Sequence, residues 1–293
     1  MKRFAASAKT TGFRPRKRLG QNFLIDRQVL SCIVERAQIQ SSDVLLEIGP
    51  GQGVLTKALL ETDCSFLHAV ELDSRLKDTL EALSRQDNRL SLVWGDAMKV
   101  DYGALAPFPT KVVANIPYNI TTPLIWKLLR FAPRGLCRHL YMVQKEAAER
   151  MLAAPDTKER YPLGIALEVM GSVSMVRRVP PGCFRPAPRV DSAIVEIILT
   201  RNFHLMRDSL WSDLLHIAFA QRRKTLLNNL KGFQNRGAEV WEVLLREIGV
   251  DPRTRAEDLS GNEWIRLHSR LRDEASCEEE MGEKPCSSSS RLS

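Results

Sequence analysis

The sequence predicts an α/β fold, with a mostly parallel sheet covered by helices, followed by a small all-helical domain. Three observations carry this. Short β-branched or apolar runs recur every 21 to 28 residues between residues 44 and 143, which leaves room for a helix or a long connection between neighbours. Beyond Arg201 the apolar residues switch to helical spacing. Hydrophobic content of 44% and charged content of 27% are those of a globular chain and exclude wholesale disorder. At 293 residues the chain has room for one large domain and one small one.

Residues 1–18 read as a basic arm. Lys2, Arg3, Lys9, Arg14, Arg16, Lys17 and Arg18 all precede the first acid, Asp26. Such an arm suits a polyphosphate partner. It also has the Arg-rich, acid-poor look of a transit peptide, but it leads straight into a motif taken up below. Residues 19–201 hold the sheet, with strands at Val44–Ile48, Phe66–Glu71, Leu90–Trp94, Lys111–Asn115 and 139–143. Two further strands, around 167–176 and Ser192–Leu199, would complete it at seven.

Residues 202–271 form the helical domain. Leu210, Leu214, Leu215 and Ala218 lie on one face, and Gly232 is placed to end a helix. A second helix over 239–248 is closed by Gly249, and a third covers 262–271. Residues 272–293 carry six acids, three bases and the run Ser287 to Ser290, and read as a disordered tail. The net charge of +8 is therefore concentrated on the folded part.

The six cysteines are scattered without a CxxC pair and the five histidines are dispersed, so the reading is no metal site and reduced thiols. No apolar run approaches the ~18–20 residues of a membrane span, and the start lacks a secretory signal core. The expectation is a soluble, cytoplasmic monomer.

The chemistry lies at the strand ends. The first strand runs into Gly49-Pro50-Gly51-Gln52-Gly53, and alternate glycines let the backbone turn tightly and approach a ligand. The second ends at Glu71, an acid placed to accept hydrogen bonds from the two hydroxyls of a ribose, as in sites for NAD and for S-adenosylmethionine alike. The third ends at Asp96, positioned to accept from an adenine amine. The fourth ends in Asn115-Ile116-Pro117-Tyr118, for which a hydride-transfer enzyme has no use.

That tetrad resembles the (Asn/Asp)-Pro-Pro-(Tyr/Phe) motif of methyltransferases acting on exocyclic amines of nucleobases. The residue types suit the task. Adenine N6 is a poor nucleophile because its lone pair is delocalised into the ring. The Asn115 side-chain oxygen and the Ile116 carbonyl could bind its two hydrogens and favour a tetrahedral nitrogen. Pro117 stiffens the turn, and Tyr118 supplies a stacking face for an extruded base.

Further segments extend the resemblance: Lys17 to Asp26 with Gly20-Gln21-Asn22-Phe23-Leu24, Val143-Gln144-Lys145-Glu146 with Arg150, Val179 to Ala193, and Phe219 to Leu226. Together they resemble the KsgA-type ribosomal RNA adenine dimethyltransferases over roughly residues 14–271. The resemblance implies a Rossmann-like class I methyltransferase domain with a seven-stranded sheet and a small C-terminal helical domain. It implies transfer of four methyl groups from S-adenosylmethionine to N6 of two adjacent adenosines, in a hairpin loop near the 3′ end of 16S rRNA within an assembling 30S particle. By motif position, Asn22, Leu24, Gly49, Gly51, Glu71, Asp96 and Asn115 would hold the donor. Asn115, Ile116, Pro117, Tyr118 and Phe184 would hold the target base. Lys17, Arg18, Arg222, Arg223 and Lys224 would hold RNA phosphates.

Three competing readings remain at this level: an erythromycin-resistance-type enzyme acting on 23S rRNA, a non-catalytic assembly or transcription factor on the same fold, and an NAD-dependent oxidoreductase.

Overall fold

The computed structural model describes residues 15, 16 and 20–282, with side chains through Asp273. The described residues fall into two compact units: those up to 153 with 159–207, and 154–158 with those from 208 onward. The helical unit thus begins at Asp208 rather than residue 202, and it takes in a five-residue excursion from the first unit.

The first unit contains, in order, β1 (Phe23–Leu24), α1 (Arg27–Ala37), β2 (Val44–Ile48), α2 (Val54–Leu60), β3 (Phe66–Glu71), α3 (Lys77–Gln86), β4 (Leu90–Trp94) and β5 (Lys111–Asn115). There follow α4 (Thr121–Leu129), β6 (Arg138–Gln144), α5 (Lys145–Leu152), α6 (Pro162–Met170), β7 (Gly171–Val179), β8 (Phe184–Arg185) and β9 (Ser192–Leu199). Seven strands form one sheet in the order β4-β3-β2-β5-β6-β9-β7. The five from β4 to β6 are parallel, and β9 pairs antiparallel with both β6 and β7. Strand order reverses between β2 and β5. Loops at the carboxyl ends of strands flanking such a reversal diverge and leave a crevice.

Periodicity explains both the hits and the miss. β2 is buried along its whole length, the continuous apolar signature of a central parallel strand. The strand expected over 167–176 begins only at Gly171; residues through Met170 belong to α6. Nearly every side chain of α6 is buried, so its apolar run has no polar face to reveal a helical period. Gly171 is required where the chain turns from α6 into β7, since a Cβ there would lie 1.9 Å from the Ile198 carbonyl oxygen.

One face of the sheet packs Leu45, Leu67, Val113, Leu140 and Ile194 against Val29 and Ile33 of α1, Leu55 and Leu59 of α2, and Leu80 of α3. A separate two-stranded ribbon pairs β1 with β8 antiparallel, and nothing in the sequence patterning announced it.

The second unit contains α7 (Ser209–Ala218), α8 (Leu226–Leu230), α9 (Ala238–Glu247) and α10 (Gly261–Gly282). Trp211, Trp241 and Trp264, all fully buried, form its centre. Asp208 caps α7 by accepting from the Leu210 N–H, and its carboxylate also meets His268 of α10 at 2.9 Å. α10 continues through Gly282, so the segment assigned to the tail from residue 272 starts as helix.

Candidate active site

The carboxyl ends of β2, β3, β4 and β5 surround a cavity of about 300 Å3. Each wall follows from local sequence. Leaving β2, the chain turns through Gly49 (φ +70°) and Gly51 (φ +57°), backbone that side chains with a Cβ rarely adopt. A Cβ on Gly51 would also sit 2.7 Å from the Phe23 ring, so only glycine lets the N-terminal segment close onto this loop.

Glu71, the last residue of β3, is buried, and its partners are backbone N–H groups rather than a cation. Oε2 accepts from Gly51 at 3.0 Å and Oε1 from Asp73 at 2.7 Å. Burial raises its pKa above the usual carboxylate value. Asp96, beyond β4, accepts the Met98 N–H at 2.8 Å. Its loop is held by Lys127 of α4, whose Nζ donates to the carbonyls of Met98 (2.8 Å) and Val100 (2.6 Å).

Asn115 ends β5 and donates its Nδ2 to the Asn22 carbonyl at 3.0 Å. That commits the amine side of the amide and leaves Oδ1 as its acceptor. Tyr118, two residues past the cavity-lining Ile116, is half-buried. Its hydroxyl meets Ser192 Oγ at 2.6 Å, and burial raises its pKa.

Of the residues expected to bind ligand, the structure brings Asn22, Gly49, Gly51, Glu71, Asp96, Asn115, Ile116 and Pro117 onto one cavity. It does not bring Tyr118 there, nor Leu24 or Phe184. For the last two the reason is register: Leu24 pairs with Phe184 and Phe23 with Arg185 in the β1–β8 ribbon. Directly opposed residues share a face, and successive residues alternate faces. Phe23 therefore faces the cavity, while Leu24 (5% exposed) and Phe184 (3%) enter the hydrophobic core. Phe184 thus packs in the hydrophobic core and does not line this cavity. Gln21, Phe23, Leu72 and Met98 also line the cavity and were not anticipated. For Phe23, its alternation with Leu24 was the available signal.

The RNA-binding candidates divide as well. Lys17 and Arg18 lie outside the described residues. Arg222, Arg223 and Lys224 lie in the turn between α7 and α8, not on a helix. Arg222 is committed internally, to Glu257 at 2.6 Å and to the Lys158 carbonyl, whereas Arg223 and Lys224 are exposed.

The donor set suits an adenosine-bearing ligand. Glu71, a buried carboxylate whose partners among the described residues are backbone N–H groups, could accept ribose hydroxyls, Asp96 could accept an amine, and Ile48, Val70, Leu72 and Met98 supply apolar walls. Fold and site together define a class I methyltransferase that uses S-adenosylmethionine. The family model described as "Ribosomal RNA adenine dimethylase" matches residues 12–273. The chain belongs to the ribosomal RNA adenine dimethylase family.

Among its relatives, "Ribosomal RNA small subunit methyltransferase A" of Chromobacterium violaceum is 40% identical over 261 residues, covering 88% of this chain and 96% of that protein. The protein of the same name from Thiobacillus denitrificans is 43% identical over 249 residues, 84% of this chain and 93% of that one. The crystal structure of a dimethyladenosine transferase from Plasmodium falciparum superposes with a TM-score of 0.76 at 29% identity, covering 86% of this chain and 98% of that one. Family membership removes the oxidoreductase reading.

Proposed function

We propose that this enzyme dimethylates N6 of two adjacent adenosines in a hairpin loop near the 3′ end of 16S rRNA, within an assembling 30S particle, and that it acts as a cytoplasmic monomer. The observation that carries the reading is the placement of Asn115, Ile116 and Pro117 on the same cavity as Glu71 and Asp96. The small-subunit name carried by the relatives from Chromobacterium and Thiobacillus favours 16S over 23S rRNA as the substrate.

Glu71 accepts the ribose hydroxyls of S-adenosylmethionine and Asp96 its adenine amine, with Asn22, Gly49 and Gly51 forming the adjoining wall. Bound there, the donor supplies an electrophilic methyl group on a sulfonium. Asn115 Oδ1 and the Ile116 carbonyl accept the two hydrogens of the target amine, which pyramidalises the nitrogen and draws its lone pair out of conjugation with the ring. Tyr118, pinned by Ser192, presents its ring to the extruded base. Because the leaving group is already in place, no strong base is needed, and orientation and electrostatics carry most of the rate.

Arg223 and Lys224, with Lys17 and Arg18 of the arm, supply phosphate affinity whatever the sequence. The two adenosines are selected by loop shape and unstacked bases.

Primer extension across the 3′ end of 16S rRNA tests this, using unmethylated 30S particles incubated with the enzyme and S-adenosylmethionine. Dimethylation blocks the Watson–Crick edge, so two adjacent stops are expected. Stops in 23S rRNA instead would transfer the enzyme to the large subunit, and binding without any stops would leave only an assembly role.

A further inference from the structure

Four consecutive residues, Gly20 to Phe23, form one wall of the cavity, yet they belong to no sheet strand except at Phe23. A wall of irregular backbone stays in place only through its ties. At its far end, β1 pairs with β8, and the Ile25 N–H donates to the Cys183 carbonyl at 2.9 Å. In the middle, the Asn22 carbonyl takes the Asn115 amide.

At its near end, one side chain bridges two parts of the chain. Gln21 Oε1 accepts the Arg16 N–H at 2.8 Å, and its Nε2 donates to Asp73 Oδ2 at 2.8 Å. Asp73 is the residue whose own N–H braces Glu71.

We propose that Gln21 is a positioning residue for methyl transfer: its bond to Asp73 latches the segment 20–24 over the donor cavity and sets how long the donor stays bound. The inference rests on the reading that this cavity holds S-adenosylmethionine. Asp73 is suited to the role. It is buried, it is gripped by Arg75 at both carboxylate oxygens, and those contacts hold its pKa down at about 2, so it presents a charged acceptor at neutral pH. A hydrogen bond to a buried charge is among the stronger kind. Gln21 therefore joins this wall to the rim that holds the ribose, while touching neither the methyl group nor the target amine. Its loss should show in donor dissociation before it shows in the chemical step.

The test uses the full chain and radiolabelled S-adenosylmethionine, measuring donor dissociation together with turnover at saturating donor. Gln21→Leu should speed dissociation by about tenfold, as expected for one charge-assisted hydrogen bond, with kcat changed less than about twofold. Gln21→Glu should do at least as much, by setting two carboxylates face to face. The pair Gln21→Glu with Asp73→Asn, which exchanges donor and acceptor across the same gap, should recover most of the loss.

If Gln21→Leu folds and releases the donor at the parent rate, the latch is overturned. A double variant that dissociates as fast as Gln21→Glu alone overturns it too, because the effect then belongs to general loosening. If the parent chain itself takes up no S-adenosylmethionine, the failure lies in the donor-site reading and not specifically in the latch.

Discussion

The two halves of the cavity are held together in different ways. On the donor half, the contacts to the two carboxylates come from backbone N–H groups within 20 residues: Glu71 accepts from Gly51 and Asp73, and Asp96 from Met98. On the acceptor half they are long-range and between side chains or across distant segments. Asn115 reaches back 93 residues to Asn22, and Tyr118 forward 74 residues to Ser192. Carboxylates held by backbone N–H groups are in place as soon as the strands are in register, before segment 20–24 docks onto them. An acceptor site tied by single side chains is correct only once the N-terminal segment and β9 have both docked. Damage to the two halves should therefore separate in kinetics.

The largest effect is expected at Asn115. Replacing it with Ala removes an acceptor used in the transition state and should lower kcat roughly 10²- to 10³-fold, measured by single-turnover methyl transfer. Next comes Glu71→Ala, which should weaken S-adenosylmethionine binding roughly a hundredfold by calorimetry while leaving binding to unmethylated 30S particles intact. If Asn115→Ala instead lost donor binding to the same degree as Glu71→Ala, the two halves would act as one unit.

Ser192→Ala is a finer probe of the acceptor half. It frees the Tyr118 hydroxyl without touching the donor wall, so kcat should drop about three- to tenfold at unchanged donor affinity, with Ser192→Thr restoring the bond and the rate.

The smallest effect lies beneath the donor loop. Glu47 of β2 is buried, its Oε2 finds no hydrogen-bond partner among the described residues, and burial, reinforced by the Glu71 charge, pushes its pKa up to about 8. The ordinary value is 4.5, so between these two pH values the folded state binds more protons than the unfolded one, and stability declines as pH rises through that window. Glu47→Gln removes the titration. Its melting temperature should differ little from the parent's trend at pH 5 and exceed it by a few degrees at pH 9. A gap that narrows with rising pH would contradict the assignment.

Much of this was legible beforehand. The five parallel strands stood out as apolar runs because both faces of a central sheet are covered, and the strand-end motifs were readable because each depends on a few adjacent residues. The sequence alone therefore determined the α/β class, the helical C-terminal unit, and Gly49, Gly51, Glu71, Asp96 and Asn115 as one set. α6 was hidden because a helix buried on all sides carries no periodic signal. That Arg222, Arg223 and Lys224 lie in a turn could not be read from their charge, which says little about backbone conformation.

Only the tertiary structure decided which face of the β1–β8 ribbon points inward. Shifting that pairing by one residue would set Leu24 against Arg185 or Phe23 against Phe184, turning one strand's side chains to the opposite face. That register sent Phe184 to the core and Phe23 to the cavity. The same long-range docking brought Gln21 to Asp73, 52 residues away. Composition and spacing describe what a segment can pair with. The partner it takes depends on where the rest of the chain has already folded.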